Sequence, residues 1–243
     1  KERAMARRMG FAPAIRLACQ TIPIQDVAVR RLVLDEEDVA LIKESCQEKM
    51  LGSLGEEKKI AILFADIRNF TSLAEALSPY DVIHLLNRYF HEMGLAIERN
   101  GGCIDNFIGD GLMAVFGVKD PMGAALRAVR AGLQMLEAAD KLKPYVKAMY
   151  DKDFRIGIGV HYGTAVVGTV GVRNNRKLTV IGDAVNFASR IEAANKKAGT
   201  RFLISEDTQA EIKGQALLKN CCTRVTIQGK SGEYPLFEVT GLA

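Results

Sequence analysis

The stretch FADIRNFT, residues 64 to 71, constrains the fold of this chain more than any other. The apolar run before it predicts a β-strand over residues 59 to 66, KIAILFAD, and this strand ends on the carboxylate of Asp66. The residues that follow lead at once into a helical pattern. We therefore expect an acidic side chain at the end of a buried strand, directly before a helix.

A second acid stands in a similar position downstream. Gly109-Asp110-Gly111 separates two short apolar segments, which predicts a hairpin over residues 103 to 117 with Asp110 at its tip. On adjacent strands, Asp66 and Asp110 would face each other. Hard divalent cations prefer oxygen ligands, and a magnesium pair that bridges a triphosphate needs few protein carboxylates because substrate and water supply the rest. The two acids are therefore candidate metal ligands.

From residue 58 onward the sequence alternates strands and helices. The predicted helices span residues 71 to 77, 79 to 99, 121 to 143, 184 to 197 and 206 to 213. Further strands are predicted at 154 to 162, 165 to 170, a short run into Gly182, 202 to 204, 223 to 228 and 235 to 240. Strand, helix, hairpin, helix, strand is the split βαββαβ order. We predict an α+β fold with this ferredoxin-like core and additional C-terminal α and β elements.

Taken together, these segments resemble the catalytic domain of class III nucleotidyl cyclases, the adenylyl and guanylyl cyclases. The likeness runs from about Lys58 to Val239. Besides the two acid segments it includes RIGIGVHYGTAVVGTVG (155 to 171), LTVIGDAVNFASRIEAA (178 to 194) and IQGKSGEYPLFEV (227 to 239). The resemblance implies the class III cyclase fold and an intramolecular reaction, in which the ribose 3′-hydroxyl of ATP attacks the α-phosphorus and pyrophosphate leaves. It also implies two Mg²⁺ or Mn²⁺ ions per active site and a homodimer with shared sites.

The resemblance assigns roles to five residues around the reacting phosphate. Asp66 and Asp110 match the family's metal ligands, with the carbonyl of Ile67 as a third. Asn186 and Arg190 match the pair that holds the ribose and stabilises the charge growing on the α-phosphate, as an arginine finger does. Spaced i, i+4 on the predicted helix, these two lie on one face.

Other matched residues contact the phosphates. The backbone amides of Asn69, Phe70 and Thr71 at the start of a helix suit the β- and γ-phosphates; a plain helix cap by Thr71 is the alternative, and both can hold together. Lys230, in the turn Gly-Lys-Ser-Gly, matches a lysine that contacts the triphosphate, although such turns are also common on protein surfaces.

Base selection is where the sequence departs from the family pattern. Adenylyl cyclases typically have a Lys four residues before the second metal Asp, and this chain has Asn106 there. Thr179, three residues before Gly182-Asp183, fits the adenine-selecting form, whereas guanylyl cyclases usually have Glu and Cys at these two positions. An Asn side chain presents both a donor and an acceptor and discriminates less than a charged group. We expect ATP as substrate and leave GTP open.

Composition narrows the remaining possibilities. The formal net charge is only +4, without a dense basic block, so nucleic acid is not an expected partner. Five cysteines without Cys-x-x-Cys spacing favour a reducing, cytoplasmic setting over a disulfide framework. No apolar run reaches the roughly 18 residues of a membrane span. Because the chain opens on Lys1 rather than Met, we expect a fragment whose anchor, if it has one, lies upstream.

The first 57 residues differ in character from the rest. Residues 1 to 34, with RLACQ at 16 to 20, resemble the end of a two-iron two-sulfur ferredoxin domain, the tail of an upstream regulatory domain. Only Cys19 of the four ligands that such a cluster needs is present, so an iron-sulfur cluster would belong to a longer parent chain. A small buried Cys in an ordinary linker is the alternative.

Residues 35 to 57 predict a helix that ends near Gly52. Apolar side chains recur at helical spacing from Val39 to Met50. This helix is either a signalling connector to a dimeric catalytic domain at 58 to 243 or a helix packed on its own domain.

Two other functional classes compete with a cyclase. A palm-type polymerase or a diguanylate cyclase also uses two strand-end acids, but the Gly-Gly-Asp/Glu-Glu-Phe turn of the latter is absent, because Gly101-Gly102 is followed by Cys103. A catalytically weak, cyclase-like regulatory module is the second alternative. All four matched catalytic and metal side chains are present, and only Asn106 favours it.

Overall fold

The computed structural model describes residues 55 to 172, 175 to 226 and 232 to 243. The predicted ferredoxin tail and the connector helix, up to residue 54, lie outside them. The chain divides into two compact units. The larger unit comprises residues 58 to 165 and 180 to 243, and the smaller includes, among the described residues, 55 to 57, 166 to 172 and 175 to 179.

The described residues form eight strands and five helices. The strands are β1 (Glu56–Ile67), β2 (Gly102–Ile108), β3 (Gly111–Phe116), β4 (Ile156–Val172), β5 (Asn175–Ile181), β6 (Phe202–Ser205), β7 (Ala216–Thr226) and β8 (Glu233–Leu242). The helices are α1 (Phe70–Glu75), α2 (Pro79–Arg99), α3 (Ala124–Tyr150), α4 (Asp183–Ala198) and α5 (Glu206–Ile212).

The strand order of the sheet is β2-β3-β1-β4-β6-β8-β7, and β5 pairs with β4. The split βαββαβ core that the sequence predicts is present. Its elements follow one another in the order β1-α2-β2-β3-α3-β4, and β1 lies between β3 and β4 in the sheet. β6, α5, β7 and β8 follow as the additional C-terminal elements. Strands β1 and β3 are antiparallel and Ala65 lies opposite Leu112. The C-terminal end of β1 therefore lies beside the N-terminal end of β3.

Helices α2 and α3 bury their apolar faces in one core with the central strands. α2 begins as predicted, because Pro79 occupies its first turn and the Ser78 hydroxyl accepts a hydrogen bond from the Asp81 amide (3.2 Å). It ends at Arg99, where Asn100 and Gly101 stop it. Tyr89 of α2 is fully buried in this core, and burial together with the charge of Asp66 raises the pKa of its hydroxyl.

Several predicted boundaries are wrong. α3 starts after Gly123 rather than at Pro121, and it continues through Pro144 for another six residues, with Val146 fully buried. Burial of this last part outweighs the backbone hydrogen bond that the proline removes. β7 begins at Ala216, seven residues before the predicted strand.

β4 is one strand of 17 residues rather than the two strands predicted. The sequence predicts a break between two strands at Gly163 and its neighbour. In the structure Gly163 is required by packing, since a Cβ there would lie 2.6 Å from the His161 ring nitrogen Nε2. His161 is buried and its Nδ1 lies 2.8 Å from the Ser205 hydroxyl.

In the described part of the chain, no helix has both the length and the apolar composition needed to cross a bilayer.

Candidate functional site

The structure brings Asp66 and Asp110 together. Asp66 lies at the end of β1, and Asp110 occupies the turn between β2 and β3. Gly111, directly after Asp110, lies against β1: a Cβ there would be 3.3 Å from Asp66 Oδ1 and 3.2 Å from the Ala65 carbonyl oxygen. A larger residue at 111 would therefore crowd the carboxylate. The two acids share one corner of the sheet.

The electrostatics of this corner disfavour two negative charges. The Asp66 and Asp110 side chains are hydrogen-bonded to each other, and burial together with the Asp66 carboxyl raises the pKa of Asp110 to about 7. The backbone amides of Asp110 and Ile67 oppose this rise. Asp110 Oδ2 is buried and has no hydrogen-bond partner. A cation bound at this corner would offset the cost of two adjacent carboxylates.

The donor set fits a divalent cation that shares its coordination with a substrate. Among the described residues, no group of three or more His, Cys, Asp or Glu side chains gathers as a self-contained metal site. Two carboxylates with one buried, unsatisfied oxygen are hard oxygen ligands, which suit Mg²⁺ or Mn²⁺. Phosphate oxygens and water would have to complete the shell.

The loop after β1 turns sharply. Asn69 caps α1 in the left-handed conformation (φ 58°, ψ 33°) without a side-chain capping bond. Thr71 lies inside the helix and is exposed, so the alternative that Thr71 caps this helix is wrong. α1 has only six residues, and Phe70 packs against the main core. Phe70 therefore anchors the loop, while Asn69 and Thr71 remain exposed.

Three further residues lie near the two acids, and the sequence analysis gave the side chains of these three no role. The Arg68 guanidinium forms an ion pair with the Glu192 carboxylate on α4. Tyr89 is fully buried, its hydroxyl has no hydrogen-bond partner, and burial and the charges of Asp66 and Asp110 raise its pKa. The only sequence signal was weak: Glu192 lies in the same matched segment as Arg190, two residues further on.

Asn186 and Arg190 lie one helical turn apart on α4, and both are exposed. The opposite face of α4 buries Phe187 and Ile191 in a second apolar cluster with Leu203. Side-chain burial thus fixes the rotation of the helix. The i, i+4 arrangement that the sequence predicts is confirmed, and it leaves both polar side chains open to solvent.

Two of the other predicted substrate residues, Asn106 and Thr179, lie in the described part of the chain. Asn106 is exposed on β2 opposite Met113, directly after a bulge at Asp105. Thr179 is half-buried on β5, in the smaller unit. Lys230 lies outside the described residues.

A cationic cleft of about 620 Å³ opens beside the loop after β1. Its charged lining is mainly basic: Arg68, Lys152, Arg155, Lys196 and Arg201. Clustered positive charge with a concave shape raises the local concentration of anions. Three of these cations are ion-paired, Arg68 with Glu192, Arg155 with Asp153 and Arg201 with Asp140. The cleft thus places a mixture of paired and lysine cations beside the loop after β1.

Comparison with known proteins agrees with this geometry. Residues 54 to 239 match the family model described as the adenylate and guanylate cyclase catalytic domain. The chain is similar to an adenylate cyclase of Anabaena cylindrica, at 38% identity over 188 residues, which is 75% of this chain and 37% of that protein. It is also similar to the terminal-differentiation-specific adenylate cyclase of Dictyostelium discoideum, at 36% identity over 75% of this chain and 9% of that protein. The chain thus spans well under half the length of these relatives.

Two solved structures share the fold. The adenylyl cyclase CyaB from P. aeruginosa superimposes with a TM-score of 0.71 at 31% identity, covering 76% of this chain and 95% of that one. The guanylyl cyclase Cya2 superimposes with a TM-score of 0.72 at 32% identity, covering 78% and 95%. The predicted α+β fold is confirmed by these likenesses.

Proposed function

The chain belongs to the adenylate and guanylate cyclase catalytic domain family, and from that premise we propose that it is an adenylate cyclase, a phosphorus-oxygen lyase that converts ATP to 3′,5′-cyclic AMP and pyrophosphate. The observation that carries the proposal is the acid corner, where Asp66 shares a hydrogen bond with Asp110 and one buried carboxylate oxygen lacks a partner. The relatives named adenylate cyclase support ATP as the substrate.

In the proposed reaction, the ribose 3′-oxygen forms a bond to the α-phosphorus and the bond from that phosphorus to the oxygen bridging the β-phosphate breaks. The 3′-hydroxyl loses its proton to solvent, and pyrophosphate leaves with the electron pair. Asp66, Asp110 and the Ile67 carbonyl would hold two Mg²⁺ or Mn²⁺ ions. Bound there, such ions lower the pKa of the hydroxyl and neutralise charge on the leaving phosphates.

The remaining polar residues bind and orient the nucleotide. Asn186 would hold the ribose so that its 3′-oxygen faces the α-phosphorus. Arg190 would donate hydrogen bonds to the α-phosphate oxygens, whose charge grows in the transition state.

Phosphate contacts would come from the loop after β1 and from the C-terminal region. Asn69, Phe70 and Thr71 would contact the β- and γ-phosphates, and Lys230 would contact the triphosphate from its turn. The exposed position of Asn69 and Thr71 and the neighbouring basic cleft support the first assignment.

Asn106 and Thr179 would select the base. The second candidate function is a guanylate cyclase, which the likeness to the guanylyl cyclase Cya2 favours; Asn106 matches neither family pattern and so leaves this choice open. The deciding experiment measures cyclic AMP and cyclic GMP formed from ATP and GTP with Mg²⁺ or Mn²⁺. We expect cyclic AMP as the main product, and no turnover of either nucleotide would instead identify a cyclase-like regulatory module.

The active form would be a homodimer with two shared sites, in which Asp66 of one protomer and Arg190 of the other serve the same nucleotide. The contrast between half-buried acids and exposed residues on α4 supports this arrangement. Asp66→Ala and Arg190→Ala homodimers would then each be inactive. An equal mixture that exchanges subunits freely is half heterodimer with one intact site in two, so about a quarter of wild-type activity should return.

Two controls make this mixture informative. Each variant must be inactive alone, and subunit exchange must be followed independently, for example by energy transfer between labelled chains. A mixture that exchanges but stays inactive would mean that one chain supplies both residues to the same site, and the shared-site dimer would then be abandoned.

A further inference from the structure

One side chain joins the end of strand β1, which carries Asp66, to helix α4, which carries Arg190. The backbone amide of Arg68 donates to the Arg155 carbonyl oxygen (2.8 Å), which fixes the start of the loop on β4's N-terminal side. Its Nη2 donates to the Glu192 carbonyl oxygen (3.1 Å) and to the Glu192 carboxylate. One guanidinium therefore holds both the backbone and the side chain of a single residue on α4.

Strand β4 has glycines at the two positions where the contact between Arg68 and Glu192 passes over it. A Cβ on Gly157 would lie 1.4 Å from Arg68 Nη2, so any larger residue would displace the guanidinium. A Cβ on Gly159 would lie 2.2 Å from the Glu192 amide nitrogen, so any larger residue would push α4 away. The two glycines, one on each side of Ile158, provide the space that the connection occupies.

A second anchor holds the same part of α4. The Asn195 side-chain amide donates to the Ile158 carbonyl oxygen of β4 (2.9 Å) and to the Glu192 carbonyl oxygen (3.0 Å). The Glu192 carbonyl oxygen thus accepts from both Arg68 and Asn195. The C-terminal half of α4 is tied to the sheet at one point rather than resting on apolar contacts alone.

The ion pair is poorly suited to a purely stabilising role. The side chains of Arg68 and Glu192 are only 20% and 11% exposed, and removing two ions from water costs about as much as their attraction returns. Burial raises the pKa of Glu192 to about 7 although the Arg68 guanidinium opposes the rise. Arg68 Nε is also buried without a hydrogen-bond partner. Such a pair contributes defined geometry more than net stability.

We infer that Arg68 and Glu192 are positioning residues, which hold the loop after the metal strand and helix α4 in one fixed arrangement. The inference rests on the proposed function. In the shared-site dimer, the acids of a chain serve one active site and its Arg190 serves the other. The ion pair then links the two sites of the dimer mechanically through each chain.

The first test separates positioning from stability. In Arg68→Met/Glu192→Leu, both charges are replaced by apolar groups of similar size, so the melting temperature should stay within a few degrees. We expect kcat for ATP to fall about 10-fold to 100-fold with little change in KM, because small misplacements of reacting groups have effects of this size. Wild-type kcat in this folded variant would overturn the inference.

A matched control is available in the same unit. Arg127 on α3 and Asp120 in the segment before this helix form an ion pair (Nη2 to Oδ2, 3.7 Å), and Arg127 is 23% exposed, much like Arg68. Arg127→Met/Asp120→Leu should leave kcat unchanged. A fall equal to that of the Arg68/Glu192 variant would show that any lost ion pair impairs turnover, which would contradict a specific role.

A conservative variant supplies a further readout. Gln in Glu192→Gln still accepts a hydrogen bond from Arg68, so it should recover most of the kcat that Glu192→Ala loses. If Gln and Ala were equally damaging, the hydrogen-bonded geometry would not be the cause, and the inference would fail.

The mixed dimer tests the link between sites. Arg68→Met/Glu192→Leu is added to the Asp66→Ala chain in one mixture and to the Arg190→Ala chain in another. A residue pair that positions both elements should lower the restored activity similarly in both mixtures. If the restored activity falls in only one of the two mixtures, Arg68 and Glu192 position only one of the two elements. The proposed mechanical link between the two active sites would then be wrong. If the parent mixture restores nothing, the shared-site dimer fails instead, and the kcat of the homodimeric variants still decides the positioning role.

Discussion

The acid corner and the polar face of α4 are built in opposite ways. At the corner, Asp66 and Asp110 are half-buried, hydrogen-bonded to each other and adjacent to a buried tyrosine hydroxyl. On α4, Asn186 and Arg190 are exposed, and only the buried face of the helix is fixed by packing. One chain therefore preorganises its two acids, whereas it leaves the polar side chains of Asn186 and Arg190 open to solvent.

The strongest test of this contrast removes an acid. Asp66→Ala or Asp110→Ala should lower turnover at least about a hundredfold, because metal-supplied charge stabilisation is worth several kcal/mol. The fold should survive, since the change also relieves repulsion at the corner. Turnover is measured at saturating Mg²⁺, with thermal unfolding followed by circular dichroism. Glu137→Ala, which removes an exposed acid on α3, is the control. Near-normal turnover in either test variant would exclude the metal assignment.

A second variant disturbs the support of α4 without touching its polar face. Ala in Gly159→Ala would push against the Glu192 backbone, so we expect about 2 kcal/mol of destabilisation and a melting temperature lower by about 4 to 8 °C. Activity should remain low even well below that temperature. Gly94→Ala is the matched control, since its Cβ would meet only Ile104 at an ordinary 3.7 Å inside α2. Equal melting temperatures for the two variants would contradict the close approach of α4 to β4.

A smaller effect is expected at Asn106, which lies on the acid hairpin but is exposed like the residues of α4. Asn106→Lys should raise the ratio of kcat/KM for ATP over GTP about tenfold, because a charged donor discriminates between the base edges more strongly than an amide. Asn106→Gln keeps the amide and should stay near the wild-type ratio. If Lys leaves the ratio unchanged, this residue does not contact the base.

The smallest effect concerns stability without metal. The pKa of Asp110 is about 7 in the folded protein, above its ordinary value of 3.8, so the folded state binds the extra proton between these values. Wild-type stability therefore falls as pH rises from about 4 to 7. Asp110→Asn lacks this loss and should exceed wild type at pH 8 by about 1 kcal/mol, after allowance for solvent screening of a partly exposed group.

The measurement is the melting temperature of Asp110→Asn minus that of wild type, taken at each of two pH values. This difference should be about 2 to 4 °C at pH 8 and close to zero at pH 5. Added Mg²⁺ should raise the melting temperature of wild type more than that of the variant. An equal difference at both pH values would mean that ionisation of Asp110 does not cause the loss of wild-type stability.

Local patterns made the acid corner predictable. An apolar strand that ends on an acid and a Gly-Asp-Gly hairpin are short-range signals, and each places its acid at a strand end. The pair of Arg68 and Glu192 had no such signal, because 124 residues separate its members and either residue alone is typical of a surface. What the sequence could not supply was the partner of each charge.

The wrong boundaries have a common physical origin. Gly163 and Pro144 are local signals for a break, but each lies where tertiary packing decides. Gly163 makes room for the His161 ring inside a continuous strand, and the helix around Pro144 is retained by burial on its far side. Thr71 failed as a cap because Asn69, in the left-handed conformation, already ends the loop.

The bulge at Asp105 affects how this protein behaves in concentrated solution. In the described sheet β2 ends the strand order, and Phe107 and Ile108 on it are 51% and 55% exposed. A straight edge of this composition is a template on which a strand of another molecule can add. The extra residue between Ile104 and Asn106 breaks the regular spacing of the free backbone groups, and it brings a buried acid into the edge. We therefore expect this irregularity to hinder the addition of a further strand at the open side of the sheet.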